Sequence, residues 1–484
     1  MKQAEIYQYD NCVIFHPIVP SIEKKLVIYE KSIIRNNIEV KKMSLLARQD
    51  RGGKECGITY QGFFTYVVAA YVESGYIPIM HDDRVSNERR GTFETPDMSL
   101  AYGLRFRQRE LLEEGLMKNS SGLIGAPTRY GKTPLIVNTL RVMPNCTTCV
   151  IAPGVDLVNQ LYYDITEKFG LPGRRVHLCH GSKKVKGALQ KGDVVVCSVD
   201  SLQNLSPGDY DLVIADEPHA LVSDSRIGLV DSFTKARRIG FGATLHGRFD
   251  GRDKLITGIF GPILAERTYL EAVEEGAICP LNIIFLDIEV SPKNYRDRNQ
   301  AYNAILFKNK TIASIVEKMC NSIIPAEWQT LIFIRHEPQA LMLRKAIGEE
   351  TTVAMAKSMT DAERAEVTEL LRTDKVKRCL CSRIYVQGVT FSDVRVLINA
   401  EAGGNNTSAI QKPGRLAEVR PNKKCGIVID FAFKPMADVE SKNGYWMAPI
   451  RDSQNRETAY REKGYGIYHV SNLDQLAYTI SKLT

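Results

Sequence analysis

The stretch GAPTRYGKT, residues 125–133, decides how the rest of the chain is interpreted. It approaches the phosphate-binding loop pattern G-x-x-x-x-G-K-[ST]. Gly131, Lys132 and Thr133 fit that pattern, whereas Ala126 stands at the position of its first glycine, and Arg129 occupies a position often held by glycine. From these letters alone, the stretch is a working nucleotide site, a decayed one or a chance match.

A loop of this kind binds phosphate because backbone N–H groups surround the phosphate oxygens at the N-terminus of a helix. Lys132 would reach the β- and γ-phosphates, and the hydroxyl group of Thr133 would hold Mg²⁺. The rest of the cradle would be formed by Ala126, Pro127, Thr128, Arg129, Tyr130 and Gly131. Arg129 must adopt an ordinary backbone conformation, or it strains the loop by about 1–3 kcal/mol. Because Gly131 is retained, we expect a working loop.

A second candidate site lies in DLVIADEPHA, residues 211–220, where an apolar strand ends in two carboxylates. At such a strand end, Asp216 would bind Mg²⁺ and Glu217 would polarise the attacking water. The alternative is that Asp216 only caps a helix. Two adjacent carboxylates at the end of a buried strand are costly without a cation or polar partners. Together with the loop, this favours the metal-binding role.

The pattern of the remaining sequence is typical of an α/β protein. Short apolar runs alternate with helical stretches from residue 104, and the rhythm restarts near residue 280 with NIIFLDIEV, TLIFIRH, KRCLCS, VRVLINA and CGIVIDF. Such alternation predicts βαβ units and parallel sheets. We expect a small α+β nucleic-acid-binding domain with a linker over residues 1–100 and α/β domains over 101–279 and 280–435. Residues 436–484 would form an extension packed on the second α/β domain.

Seven further segments fall in a fixed order around the two sites. They are LRFRQRELLEEGL (104–116), IAPGVDLVNQL (151–161), VVCSVDSLQN (195–204), GFGATLHGR (240–248), TLIFIRH (330–336), CSRIYVQGVTFSDVRVLIN (381–399) and QKPGRLAEVR (411–420). With the loop and the DEPH tetrapeptide, they resemble the motifs of superfamily 2 helicases and translocases of the DExH type. The resemblance covers residues 104 to about 435.

This resemblance implies two tandem RecA-like domains that bind ATP and Mg²⁺. It gives catalytic roles to Lys132, Asp216, Glu217 and Arg415, and nucleotide contacts to Gln108 and Gln411. It also implies that Thr244 links hydrolysis to grip on the strand. The small domain ahead of the motor, ending in GFFTYVVAAYVESGYIPIMHDD (62–83), resembles the UvsW family of phage recombination helicases. That layout implies a DNA helicase or translocase of recombination, repair or replication.

Two departures from the family pattern concern its last motifs. Thr390 follows Gly388-Val389 where an acidic residue is usual, and Glu418 stands where the last arginine is usual. Arg420 comes two residues later, and on a helix two residues turn a side chain by about 200°. We therefore expect Arg415 to be the main cation at the γ-phosphate and Arg420 to replace the usual arginine only if the local backbone differs. An inactive nucleic-acid-binding scaffold remains an alternative.

The charge balance permits a nucleic-acid partner without proving one. The 484 residues carry a net charge of +8, and Lys24–Lys54 holds nine basic against three acidic residues. A second cluster comprises Lys183, Lys184 and Lys186. Either cluster could be no more than a solvated face. We expect sequence-independent binding of branched or duplex DNA, with RNA as the alternative partner, by a monomer.

The sequence contains no run of 18 apolar residues and no apolar signal core near its N-terminus, so we expect a cytoplasmic protein, in the host cell if a phage encodes it. Its eleven cysteines are scattered, which predicts reduced thiols. Cys146 and Cys149 lack the second pair that a zinc site needs.

Overall fold

The computed structural model describes residues 2–34, 37–84, 94–185, 187–243, 245, 251–355, 359–382, 393–403, 412–436 and 444–484. The chain forms two compact units. The first comprises Met1–Pro127 and Gly131–Thr268, and the second comprises Thr128–Tyr130 and Tyr269–Thr484. All eleven cysteines are free thiols. Within the described ranges, no helix has the length and apolar character needed to cross a membrane.

The N-terminal part of the first unit is a small α+β module. Its strands are β1 (Lys2–Gln8), β2 (Cys12–His16), β3 (Val27–Ile34), β4 (Asn37–Ser44), β5 (Ala47–Arg51), β6 (Lys54–Tyr60) and β7 (Tyr76–Asp82). Its helices are α1 (Pro20–Lys25) and α2 (Phe64–Glu73). Five strands form a sheet in the order β5-β6-β2-β1-β7, and β3 and β4 form a separate hairpin. Gly75 has a φ of 76° just after α2, as expected of a glycine that ends a helix.

The module and the nucleotide-binding part of the first unit share one hydrophobic core. Helix α7 (Asp253–Phe260) supplies Ile259 and Phe260 to this core, and the module supplies Phe63. A polar contact joins the same parts, because an Nη2 atom of Arg252 lies 2.6 Å from Oε1 of Glu30. The module is therefore packed on the nucleotide-binding part rather than tethered to it.

The nucleotide-binding part contains a sheet of seven parallel strands in the order β10-β11-β9-β12-β13-β8-β14. Its strands are β8 (Gly122–Gly125), β9 (Thr148–Ala152), β10 (Val176–Cys179), β11 (Val194–Ser198), β12 (Leu212–Asp216), β13 (Arg237–Gly242) and β14 (Ile263–Glu266). Helix α3 (Gln108–Leu116) precedes β8, and α7 together with α4 (Lys132–Val142), α5 (Val155–Tyr163) and α6 (Asp224–Asp231) lies between later strands. Strands β9, β11 and β13 are buried along their whole length, as in a parallel sheet covered on both faces.

The second unit contains another sheet of seven parallel strands, in the order β17-β18-β16-β19-β20-β15-β21. Its strands are β15 (Leu281–Val290), β16 (Gln329–Phe333), β17 (Thr352–Ala354), β18 (Arg378–Cys381), β19 (Val394–Asn399), β20 (Gly426–Pro435) and β21 (Gly466–Val470). Its helices are α8 (Tyr269–Glu274), α9 (Arg298–Tyr302), α10 (Lys310–Lys318), α11 (Glu337–Ile347), α12 (Asp361–Arg372), α13 (Ala448–Glu462) and α14 (Leu473–Leu483).

These sheets confirm the predicted fold class, which is two tandem RecA-like parallel-sheet domains preceded by a small α+β module. The C-terminal segment 436–484 contributes helix α13, which begins at Ala448 and ends at Glu462. Strand β21 was not predicted from the sequence, and it pairs in parallel with β15. The C-terminal residues therefore complete the second sheet.

Candidate active site

The phosphate-loop stretch follows a buried strand and leads into a helix, as its pattern requires. Strand β8 ends at Gly125, and helix α4 begins at Lys132. Gly131 caps α4 with a φ of 101°, a left-handed conformation that glycine adopts without strain. A methyl group added to Gly131 would also overlap the side-chain amide of Gln108. Glycine at position 131 thus suits the backbone conformation, and any side chain there would force the Gln108 amide to move.

Gln108 is the first residue of α3 and is only 4% exposed. Its Oε1 atom accepts a hydrogen bond from the backbone N of Arg105 at 2.8 Å. The structure therefore brings Gln108 against the loop, although the two lie far apart in sequence.

Lys132 and Glu217 form an ion pair within the first unit. The Nζ atom of Lys132 lies 2.6 Å from Oε1 of Glu217, and both side chains are mostly buried. Glu217 has a φ of 53°, which is uncommon for a residue with a side chain. Its backbone N donates to the carbonyl of Phe241 at 2.9 Å. The end of β12 is therefore bent so that the Glu217 carboxylate meets the lysine of the loop.

The two adjacent carboxylates have opposite pKa shifts. Burial, reinforced by the negative charge of Glu217, raises the pKa of Asp216 to about 6. Burial would also raise the pKa of Glu217, but Lys132 and His219 outweigh it and hold that pKa well below its usual range. The Nδ1 atom of His219 lies 3.3 Å from Oε2 of Glu217, which gives this histidine a partner in the site. Glu217 is therefore the carboxylate that stays ionised.

The residues present fit a nucleotide-bound Mg²⁺. The buried Oδ1 atom of Asp216 has no hydrogen-bond partner among the described residues, so this oxygen is available to coordinate a metal ion. Thr133 lies in the first turn of α4. No group of three His, Cys, Asp or Glu in the described ranges could hold a metal by itself. One carboxylate and one hydroxyl suit Mg²⁺, which takes its other ligands from water and substrate phosphates.

Arg129 has a left-handed backbone conformation, with a φ of 74°, rather than the ordinary conformation that a working loop was expected to need. It belongs to the second unit, where its Nη1 atom lies 4.0 Å from Oε2 of Glu418. Burial lowers the pKa of Arg129, and the charge of Glu418 partly opposes this effect. Two departures from the family pattern, Arg129 and Glu418, are therefore neighbours of opposite charge.

Arg415 lies in a short 3₁₀ turn, Pro413–Leu416, and is 9% exposed. The segment after this turn, up to Arg420, is irregular rather than helical. A rotation of 200° between positions 418 and 420 therefore does not apply. The Nη2 atom of Arg420 instead pairs with Oε1 of Glu418 at 2.6 Å.

Several residues singled out in the sequence lie outside the described residues. They are Gln411, Thr244, Arg248, Gly388, Val389, Thr390 and Lys186. Sequence reasoning in turn missed a buried polar network around Asp430 and Arg456. The sequence did contain an indication of this network, because Asp430 is a charged residue inside the apolar run CGIVIDF. A buried charge needs a partner.

Comparison with known sequence families gives two matches. Residues 101–247 match the family described as type III restriction enzyme, res subunit, and residues 313–419 match the helicase conserved C-terminal domain. The first segment lies in the first unit except for Thr128–Tyr130, and the second segment lies in the second unit. A curated relative named helicase 22, from Sulfolobus islandicus filamentous virus, is 23% identical over 352 residues. That match spans 65% of this chain but only 60% of the viral protein.

Solved structures that resemble the chain share little sequence with it. An HsdR subunit fragment of a type I restriction enzyme from Vibrio vulnificus has a TM-score of 0.57 at 16% identity, over 79% of this chain and 72% of that one. T4 UvsW has a TM-score of 0.43 at 14% identity, over 98% of this chain and its own full length.

Proposed function

We propose that the chain acts as the superfamily 2 helicases that it resembles do, and that it hydrolyses ATP with Mg²⁺ and uses the energy to unwind or branch-migrate DNA. The observation that carries the proposal is the Lys132–Glu217 ion pair at 2.6 Å beside an Asp216 oxygen that lacks a hydrogen-bond partner among the described residues. Lys132, at the N-terminus of α4, would supply a cation, and Glu217 and Asp216, at the end of β12, would supply a base and a metal ligand.

The chemistry follows from these groups. The β- and γ-phosphates would compete with Glu217 for the ammonium group of Lys132. Glu217, released from Lys132 but still beside His219, would then orient and polarise the attacking water. Asp216 and Thr133 would hold Mg²⁺, which when bound neutralises charge on the phosphate oxygens. Gln108 would contact the adenine, and Arg415 would stabilise the charge that develops on the γ-phosphate.

Turnover measurements test this assignment directly. Lys132→Ala should abolish ATP hydrolysis, because the loop loses its cation. Lys235→Ala, at an exposed lysine of the same unit, is the matched control and should hydrolyse ATP as the parent does. Near-normal turnover in Lys132→Ala would end the proposal.

DNA is the proposed substrate, and RNA is the alternative. The family description and the Vibrio structure both refer to restriction enzymes, which favours DNA. Contacts to phosphates and sugars carry little sequence information, so binding should be sequence-independent. ATPase rates measured side by side with single-stranded DNA, duplex, forked DNA, a four-way junction and RNA decide between the two. No hydrolysis with any of them would support an inactive scaffold.

A further inference from the structure

A network of buried polar side chains surrounds Lys412 of the second unit. The Nδ2 atom of Asn399, at the end of β19, donates to Oδ2 of Asp430 at 3.0 Å. The Nζ atom of Lys412 donates to Oδ1 of Asn399, also at 3.0 Å, and lies 2.8 Å from Oε2 of Glu401. Asn399 and Asp430 are fully buried, and Lys412 is 2% exposed. One amide thus bridges a buried carboxylate and a buried ammonium group.

Helix α13 holds the other end of this network through Arg456. Arg456 donates from Nε and Nη2 to the two oxygens of Asp430, at 2.9 and 2.8 Å. Its Nη1 atom donates to the carbonyl of Gly403 at 2.8 Å. Burial works against the charge of Arg456, but the Asp430 carboxylate outweighs burial and raises the pKa of the guanidinium. A bidentate pair of this kind fixes orientation as well as charge.

At Lys412, this network of buried side chains reaches the turn that carries Arg415. Lys412 immediately precedes that turn, and the backbone N of Arg415 donates to the Lys412 carbonyl at 3.1 Å. At the far end of the turn, the Nζ atom of Lys423 donates to the Leu416 carbonyl at 2.7 Å. Buried lysines therefore hold the turn on both sides.

We propose that Arg456, through Asp430, Asn399 and Lys412, is a positioning residue for ATP turnover, because it fixes the turn that presents Arg415. The inference rests on the proposed function, in which Arg415 approaches the γ-phosphate. Helix α13 is then a working part of the ATPase, although it lies beyond both matched family segments. The expected effect is large, since a misplacement of about 1 Å can cost on the order of a hundredfold in rate.

Asn399→Leu is the sharpest test, because it removes only the bridge. Leucine has a similar volume, and the Asp430–Arg456 and Lys412–Glu401 ion pairs both stay intact. In the full-length protein with saturating nucleic acid, we expect kcat to fall about tenfold or more while the KM for ATP stays within about twofold. Parental kcat in a folded Asn399→Leu protein would overturn the inference.

Helix α13 offers a matched control in Asp452. This carboxylate is 5% exposed and is bound by Arg298 and Tyr302. Asp430→Asn and Asp452→Asn should both lower the melting temperature, but only Asp430→Asn should lower kcat. Equal loss of kcat in the two variants would mean that α13 is only structural and would overturn the inference.

Arg456→Lys covers the case in which Asn399→Leu does not fold. Lysine keeps the charge beside Asp430 but cannot form the bidentate pair. We expect a fall in kcat of about tenfold here too, and parental kcat would contradict the inference.

Lys132→Ala separates the two proposals. If it abolishes turnover while Asn399→Leu does not slow it, only the inference fails; if Lys132→Ala turns over ATP, the proposed function fails.

Discussion

The Nζ atom of Lys132 lies 2.6 Å from Oε1 of Glu217, so the cation of the phosphate loop is already paired with a carboxylate. A phosphate that binds there would compete with Glu217 for the ammonium group of Lys132. Displacement would free Glu217 to orient water. The ion pair therefore links nucleotide binding to the release of the proposed base.

Glu217→Gln should separate these two roles. Glutamine keeps the shape of the side chain but neither competes strongly for Lys132 nor accepts a proton. We expect ATP to bind several-fold more tightly and turnover to fall by about 100-fold or more. Titration with a fluorescent ATP analogue and a steady-state ATPase assay measure the two effects. The control is Glu113→Gln, at a carboxylate paired with Arg109 on α3. Weaker ATP binding in Glu217→Gln would show that the carboxylate does not compete for Lys132.

The raised pKa of Asp216 predicts how metal-dependent ATP binding responds to acid. With a pKa of about 6, Asp216 takes up a proton as the pH falls below that value, and a protonated carboxyl group is a poor Mg²⁺ ligand. ATP·Mg²⁺ affinity should therefore decline from pH 7 to pH 5.

More Mg²⁺ should move the midpoint of this decline to lower pH, because the metal binds the ionised form. Asp216→Asn should bind ATP·Mg²⁺ weakly at every pH and lose the response. A midpoint that does not move with Mg²⁺ concentration would assign the titration to another group.

The left-handed backbone at Arg129 predicts an ordering of two variants. Its φ of 74° suits glycine, whereas alanine would keep the strain and lose the side chain. Arg129→Gly should therefore be more stable than Arg129→Ala by about 1 kcal/mol, measured by urea unfolding. If the loop works as it stands, Arg129→Gly should change the ATPase only modestly. Equal unfolding free energies for Arg129→Ala and Arg129→Gly would show that the backbone is not strained in solution. A large gain of ATPase activity in Arg129→Gly over an inactive parent protein would favour the scaffold alternative.

The sequence predicted the elements better than the contacts between them. Runs such as DLVIAD are apolar, β-branched and short, which suffices to predict β12 and to place Asp216 at its end. The Lys132–Glu217 pair spans 85 positions and depends on the order of β8 and β12 in the sheet, which local pattern does not encode. Val72 fits the apolar spacing of α2 yet is 60% exposed, because only one side of that helix meets the core. The left-handed φ values of Arg129 and Glu217 likewise do not follow from the local sequence pattern.

The exposed lysines of the N-terminal module provide the last prediction. Lys41 and Lys42 lie exposed on β4 of the hairpin, within the Lys24–Lys54 basic cluster. Deleting the whole module is a poor test, because it would uncover Ile259 and Phe260 of α7 and destabilise the first unit. Replacing both lysines with glutamate leaves that core intact.

If the hairpin holds a duplex arm, Lys41→Glu/Lys42→Glu should weaken binding to forks and junctions far more than binding to single strands. The dependence of log K on log salt should become shallower by about two units, since each phosphate contact to duplex DNA contributes about 0.9. Fluorescence anisotropy at several salt concentrations measures both effects. The control replaces Lys310 and Lys318, exposed on α10 of the second unit, with glutamate. Equal losses on every substrate would make the hairpin a general clamp, and no loss on any would make the basic cluster a solvated face.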